Sequence, residues 1–130
     1  MSGKILVDTD ILIDLSRQNQ AACDFIRSVE SAHTLSISVI THMELVVGCR
    51  NKKELRELKT FLTFFQLLPV SEIVSHEACN LLELYRLSHG LLIPDALIAA
   101  TAIVHAIPLA SKNRRDFSYI KSLTLKKYPA

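Results

Sequence analysis

Cysteine, glycine and proline are all scarce in this chain of 130 residues, at three, three and four. Three cysteines (Cys23, Cys49, Cys79) cannot all pair, and no CxxC spacing occurs. A disulfide scaffold and a cysteine zinc site are thereby excluded, and the cysteines read as reduced packing residues of a cytoplasmic protein. So little glycine and proline rules out collagen-like and linker-rich architectures. Charge is modest as well: 22% of residues are charged, 49% are hydrophobic, and the net charge is +2. That balance excludes a disordered chain. The length suits one domain with one core, and no repeat or low-complexity segment divides residues 1–130.

Membrane segments are lacking too. Only three apolar residues separate Lys4 from Asp8, too few for a signal-peptide core. The longest apolar run, Leu91 to Ala110, contains Pro94, Asp95, His105 and Pro108, which marks soluble core rather than a span.

What is present is a succession of short apolar strands and helical stripes. Lys4–Val7 reads as a buried strand ending at Asp8. Helical segments follow over Ile11–Ser16 and Ala21–Glu30, then an alternating strand over Leu35–Ser38. Thr41–Val47 reads as a helix stopped by Gly48. Asn51 caps the next helix, with Leu55, Leu58, Leu62 and Phe65 on one face. Gln66–Val70 is a short strand that Pro69 places at an edge or an end. Ser71 or Ser75 opens a long helix that His89-Gly90 ends. Pro94 then sits at the first position of a helix that is apolar nearly all round and should be buried. Ile107–Ala110 and Leu123–Leu125 are late strands. The pattern predicts an α/β domain whose mostly parallel central sheet of four to five short strands is flanked by helices.

Several acidic residues fall where a solvated surface would not put them. Asp8 directly follows a buried strand, at the end where parallel sheets bind ligands. Asp10 and Asp14 come next. Glu44 lies among Met43, Leu45, Val46 and Val47, where a charge is costly unless paired or metal-bound. Asp95 is in the first turn of the most apolar helix, and Asp116 precedes Phe117. Asp10 and Asp95 have an ordinary explanation alone, since first-turn carboxylates are favoured by the helix dipole and by free N–H groups. Asp116 would cap a short turn, whereas Glu44 and Asp8 are harder to explain in this way. As a converging set they would repel one another by about 4 kcal/mol per pair at 4 Å. A proton or a cation relieves that repulsion, and all-oxygen ligation suits Mg²⁺ or Mn²⁺ rather than zinc. Such an ion assists hydrolysis of a phosphate ester.

Four segments, LVDTDILIDL, SVITHMELVVG (Ser38–Gly48), IPDALIAATA (Ile93–Ala102) and SKNRRDF (Ser111–Phe117), resemble the motifs of PIN-domain ribonucleases. The likeness is greatest to VapC-type toxins of bacterial and archaeal toxin–antitoxin pairs. The resemblance runs in order from residue 5 to residue 117. It implies a PIN-like fold with Asp8, Glu44 and Asp95 as core acidic ligands and Asp116 as the fourth. They would hold one or two Mg²⁺ or Mn²⁺ ions for endonucleolytic attack on RNA, leaving 5′-phosphate and 3′-hydroxyl products. It further implies a homodimer and a VapB-like antitoxin that blocks the site. Asp10 departs from the pattern by replacing an Asn. Either it joins a second ion or it substitutes for an amide hydrogen bond. Ser111 stands for the usual Thr, and Asn113 competes with Asp116 for the place nearest the metal.

The cations are segregated: eleven of fifteen Lys and Arg lie within 50–59 and 112–127. Glu54 and Glu57 make the first cluster read as a solvated helix face. The second, with Lys112, Arg114 and Arg115, adjoins the acidic set and suits an RNA backbone. Aromatic platforms are few: Tyr119, Tyr128 and Phe117, of which Phe117 reads as core. The five histidines fit no paired-ligand spacing. Two alternatives remain at this point. A haloacid-dehalogenase-like phosphatase matches the Asp8-Thr9-Asp10 pair, and a non-catalytic PIN-like module would bind RNA or protein only. A receiver domain is excluded because no Asp occurs between Asp24 and Asp95.

Overall fold

Ile5, Leu6 and Val7 have no exposed surface. They form β1 (Gly3–Val7), the central strand of a five-stranded sheet covered on both faces. A parallel strand buried on both sides must be apolar at every position rather than at alternate ones. The computed structural model describes residues 3–129. After β1 come α1 (Thr9–Ser16), α2 (Gln20–Glu30), β2 (His33–Ser38), α3 (Val39–Val47), α4 (Lys52–Leu62) and β3 (Gln66–Leu68). Then follow α5 (Glu72–His89), α6 (Ile93–Val104), β4 (Leu109–Ala110), a 3-10 turn (Arg114–Asp116) and β5 (Leu125–Lys126). Every pairing is parallel, in the order β3-β2-β1-β4-β5. The expected α/β class and strand count therefore hold.

Alternation along β1 splits the core. Leu6 packs with Val74, Leu81, Ile98 and Leu109 under α5 and α6. Ile5 and Val7 pack with Ile11, Phe25 and Ile37 on the other face. Six residues of α6 are buried, so its nearly uniform apolarity reflects a place inside the domain. Among the described residues no helix is long and apolar enough to cross a membrane.

Capping explains most of the shifted boundaries. Asp8 and Ser38 accept hydrogen bonds from the backbone at the starts of α1 and α3, which begin at Thr9 and Val39 rather than at Ile11 and Thr41. Ser71, not Ser75, caps α5 by accepting from the Val74 N–H at 3.2 Å. Pro94 sits one position later than expected, because Leu92 is the cap and Ile93 the first helical residue. Neither place needs a backbone N–H. Phe65 lies beyond the end of α4 yet is buried. The late strands are only two residues each. Cys79 is exposed and Cys23 and Cys49 only half-buried, so the reading of all three as packing residues fails at Cys79.

The topology places the functional crevice. From β1 the chain winds outward through β2 to β3, and α5 and α6 then carry it back across β1 to β4. The winding direction reverses between β1 and β4, and a cleft opens outside their carboxyl ends. Asp8 and Ser111 are the first residues past those two strands, and the Asp8 N–H donates to the Ala110 carbonyl at 2.9 Å.

Candidate active site

Asp8, Asp10, Glu44, Asp95 and Asp116 reach this cleft from β1, α1, α3, α6 and the 3-10 turn. With Thr9, Ile13, Asn113 and Phe117 they line one hollow of about 220 Å³. Five of the six acidic residues singled out in the sequence therefore share this hollow. Asp14 is the exception: its carboxylate pairs with Lys112 Nζ at 2.8 Å.

Four of the five carboxylates, all but that of Asp95, are held by neighbours. The Thr9 N–H donates to Asp8 Oδ1 at 2.8 Å, and buried Ser111 donates through Oγ to Asp8 Oδ2 at 2.7 Å. Ser111 Oγ also lies 3.3 Å from Asp10 Oδ2 and accepts from the Asn113 N–H at 3.0 Å. The Lys112 N–H donates to Asp10 Oδ1 at 3.3 Å. Asn113 donates through Nδ2 to Asp116 Oδ2. Ser111 and Asn113 thus brace Asp8 and Asp116 respectively.

Glu44 reaches the hollow for a different reason than its sequence suggested. Met43, Val46 and Val47 are 54%, 36% and 84% exposed, and Glu44 itself is exposed, so no apolar burial strains it. Thr9 Oγ1 donates to Glu44 Oε1 at 2.6 Å and lies 3.0 Å from the buried Thr41 hydroxyl. Thr9 carries no titratable group, so charge patterning does not point to it. The signal was its fixed place between two acids in Asp8-Thr9-Asp10.

Electrostatics follow from burial and crowding. Burial pushes the Asp8 carboxyl up to about 7, with the Asp10 charge adding to it, while the Ser111 and Thr9 hydrogen bonds pull the other way. Asp95 is pushed up to about 6, first by burial and then by Asp116, Glu44 and Asp10. Burial raises Asp10 as well, against hydrogen bonds from the Lys112 and Ile11 backbone. The cleft is short of positive charge. Among the described residues, no three His, Cys, Asp or Glu side chains are gathered into a ready metal cage. Glu44 and Asp116 are instead tied to Thr9 and Asn113.

The basic residues divide. Lys112 is turned toward α1 by Asp14, so the expectation that it faces RNA beside its neighbours is weakened. Arg114 and Arg115 are exposed and make no ion pair among the described residues. In the first cluster Arg50 pairs with Glu54 at 2.8 Å, in keeping with a solvated face. Phe117 is buried, as expected, and Tyr128 packs edge-on against Phe25.

Compared with known families, residues 5–123 match the PIN domain. The chain belongs to the PIN-domain family. This PIN domain is 38% identical over 120 residues to Ribonuclease VapC10 of Mycobacterium tuberculosis, a match covering 92% of this chain and 90% of that protein. It is 33% identical over 128 residues to Ribonuclease VapC1 of Methanocaldococcus jannaschii, covering 97% and 88%. Among solved structures, a chain of a toxin–antitoxin complex from Klebsiella pneumoniae superposes with a TM-score of 0.77 at 30% identity, covering 98% of each. The phosphatase alternative finds no support. Asp10, the second acid of its motif, is engaged by Ser111 and the Lys112 backbone.

Proposed function

We propose that this PIN domain is a Mg²⁺- or Mn²⁺-dependent endoribonuclease that acts in the cytoplasm as the toxin of a toxin–antitoxin pair. The observation that carries this reading is the convergence of carboxylates from five places in the chain on one cleft. Its donors are all oxygen, which fits a hard divalent cation. Two of its acids, Asp8 and Asp95, are raised by burial and by the charges of neighbouring acids, which a bound cation would offset. Asp8, Glu44, Asp95 and Asp116 would hold one or two ions. Bound there, Mg²⁺ or Mn²⁺ supplies Lewis acidity toward water and a phosphoryl oxygen.

The rest falls to the chain's own side chains. Ser111 and the Thr9 N–H fix both oxygens of Asp8, and Thr9 Oγ1 aims Glu44. Asn113 orients Asp116. Arg114 and Arg115 attract the RNA backbone along the rim. Exposed Met43, Val47, Leu87, Leu92 and Ile93 give apolar surface for a second copy and for a VapB-like antitoxin. The names of the relatives, Ribonuclease VapC, and the toxin–antitoxin complex among the solved structures support this assignment.

The test is cleavage of single-stranded RNA by protein freed of any partner, in EDTA, Mg²⁺ or Mn²⁺. Asp95→Asn should keep the fold and lose cleavage by about 100-fold or more. Mn²⁺ should raise the unfolding midpoint of the native protein and not that of an Asp8→Asn/Asp95→Asn variant. Cleavage undiminished in EDTA would end the metal-dependent reading. A folded protein with neither cleavage nor metal stabilisation would favour the non-catalytic binding module.

A further inference from the structure

Asp95 and Asp116 also border a second, smaller hollow of about 140 Å³, whose other walls are His89, Gly90, Leu91, Leu92 and Tyr119. Its wall is aromatic. The His89 and Tyr119 rings stack with centroids 4.1 Å apart and 11° between their planes. Tyr85, one turn earlier in α5, lies 5.2 Å from Tyr119 and 6.1 Å from His89, centroid to centroid, and backs the pair. Ser88 Oγ is 2.7 Å from His89 Nδ1, which fixes the imidazole further. The backbone wall is also set in place. Gly90 takes a positive φ of 72°, and Arg86 Nη1 donates to the Gly90 and Leu91 carbonyls at 3.0 and 3.2 Å.

His89 is exposed, so this stack adds little to the core. It offers π surface at the rim of an acidic cleft. Stacking on such rings is how unpaired nucleobases are held, and it tolerates any base because each has a π face. We propose that this hollow is a nucleobase subsite, in which the base of a nucleotide flanking the cut phosphate stacks against the His89–Tyr119 pair. The subsite rests on the ribonuclease reading. The shared carboxylates then place the base beside the phosphate that the acidic cleft receives.

A randomised single-stranded RNA pool, cut in Mn²⁺ and sequenced at its new ends, gives the preferred cut and the base preferences around it. An oligonucleotide with that cut is then made with an abasic residue at each flanking position in turn. For the native protein, one of these replacements should lower kcat/KM about tenfold. His89→Ala and Tyr119→Leu should each raise KM for the intact oligonucleotide about tenfold, change kcat little, and abolish the abasic effect. Tyr119→Phe, which keeps the ring, should behave as native. A purely structural role would not remove sensitivity to one missing base. If Tyr119→Leu fails to fold, His89→Ala decides alone, because its ring is exposed. Native KM and native abasic sensitivity in His89→Ala would overturn the subsite and leave the ribonuclease reading intact. Failure of the native protein to cut any RNA in the pool would overturn that reading, and the subsite with it.

Discussion

Asp8 answers to two opposed demands, since burial disfavours its charge while the cleft requires a charged ligand. Its carboxyl, raised to about 7, is raised relative to the unfolded chain, where it titrates near its ordinary 3.8. Its contribution to stability is therefore complete below about pH 4. That contribution is lost as pH rises through about 7, where the folded protein must hold a buried charge. In metal-free buffer at pH 8, Asp8→Asn should stabilise the fold by roughly 2–4 kcal/mol. The gain should shrink toward pH 5, and denaturant melts at the two pH values measure it. The amide oxygen can still accept from the Thr9 N–H, so the helix cap survives the change. At the rim, replacing Arg114 and Arg115 by Gln should flatten the salt dependence of RNA binding, by about one unit of slope for each phosphate no longer neutralised. Lys112→Gln should alter it less, because Lys112 is paired with Asp14. Titration of binding against salt separates the two. Motif spacing made Asp8, Asp95 and Asp116 legible from sequence. The Lys112–Asp14 pair was not, because it joins distant parts of the chain that only the fold brings together.

Among the elements, the shortage of glycine leaves a mark at two helix ends. Helix α6 closes with the Ile107 N–H bonded to the Ala102 carbonyl and the Ala106 N–H to the Ile103 carbonyl, both at 3.0 Å. That pair of bonds requires a left-handed residue at the turn, a place where glycine is usual. Ala106 occupies it with φ 54°. Helix α1 ends the same way, with Gln18 at φ 59° and the Asn19 N–H bonded to the Asp14 carbonyl at 3.0 Å. Ala106→Gly should raise stability by about 1 kcal/mol, as relief of the Cβ clash outweighs the added chain entropy of the unfolded state. A thermal melt checks this, and a lower midpoint would contradict it. Helices with a strong apolar stripe were readable from sequence, as was the Asn51 cap. The Asp8 and Ser38 caps were not, because Asp8 reads as a ligand at a strand end and Ser38 as part of a strand. The two-residue strands β4 and β5 were not well bounded, because so few residues carry no period and their limits are set by the partner strand. Glu44 shows the complementary error: Met43, Val46 and Val47 read as core, yet much of that helix face meets solvent.

Across the whole molecule, the cleft is assembled from residues remote in sequence. The parallel sheet and its alternating helices follow from the pattern of apolar runs, whereas the order β3-β2-β1-β4-β5 is visible only once the pairings are known. In that order β1 lies between β2 and β4, pairing Leu6 and Val7 with Leu109 and Ala110. The bond from Ser111 to Asp8 spans 103 residues. Such non-local pairing is slow to form, because loop closure must precede the contacts that reward it. Ribosome-stalled chains ending at His105 should be open to protease and unable to cut RNA, whereas the released full chain resists the same digestion. RNA cleavage by the stalled chain would contradict this. In synthesis Ser111 follows Asp8 by 103 residues. Until Ser111 has emerged, a nascent chain therefore carries Asp8 without the hydroxyl that holds it, and the cleft stays unarmed.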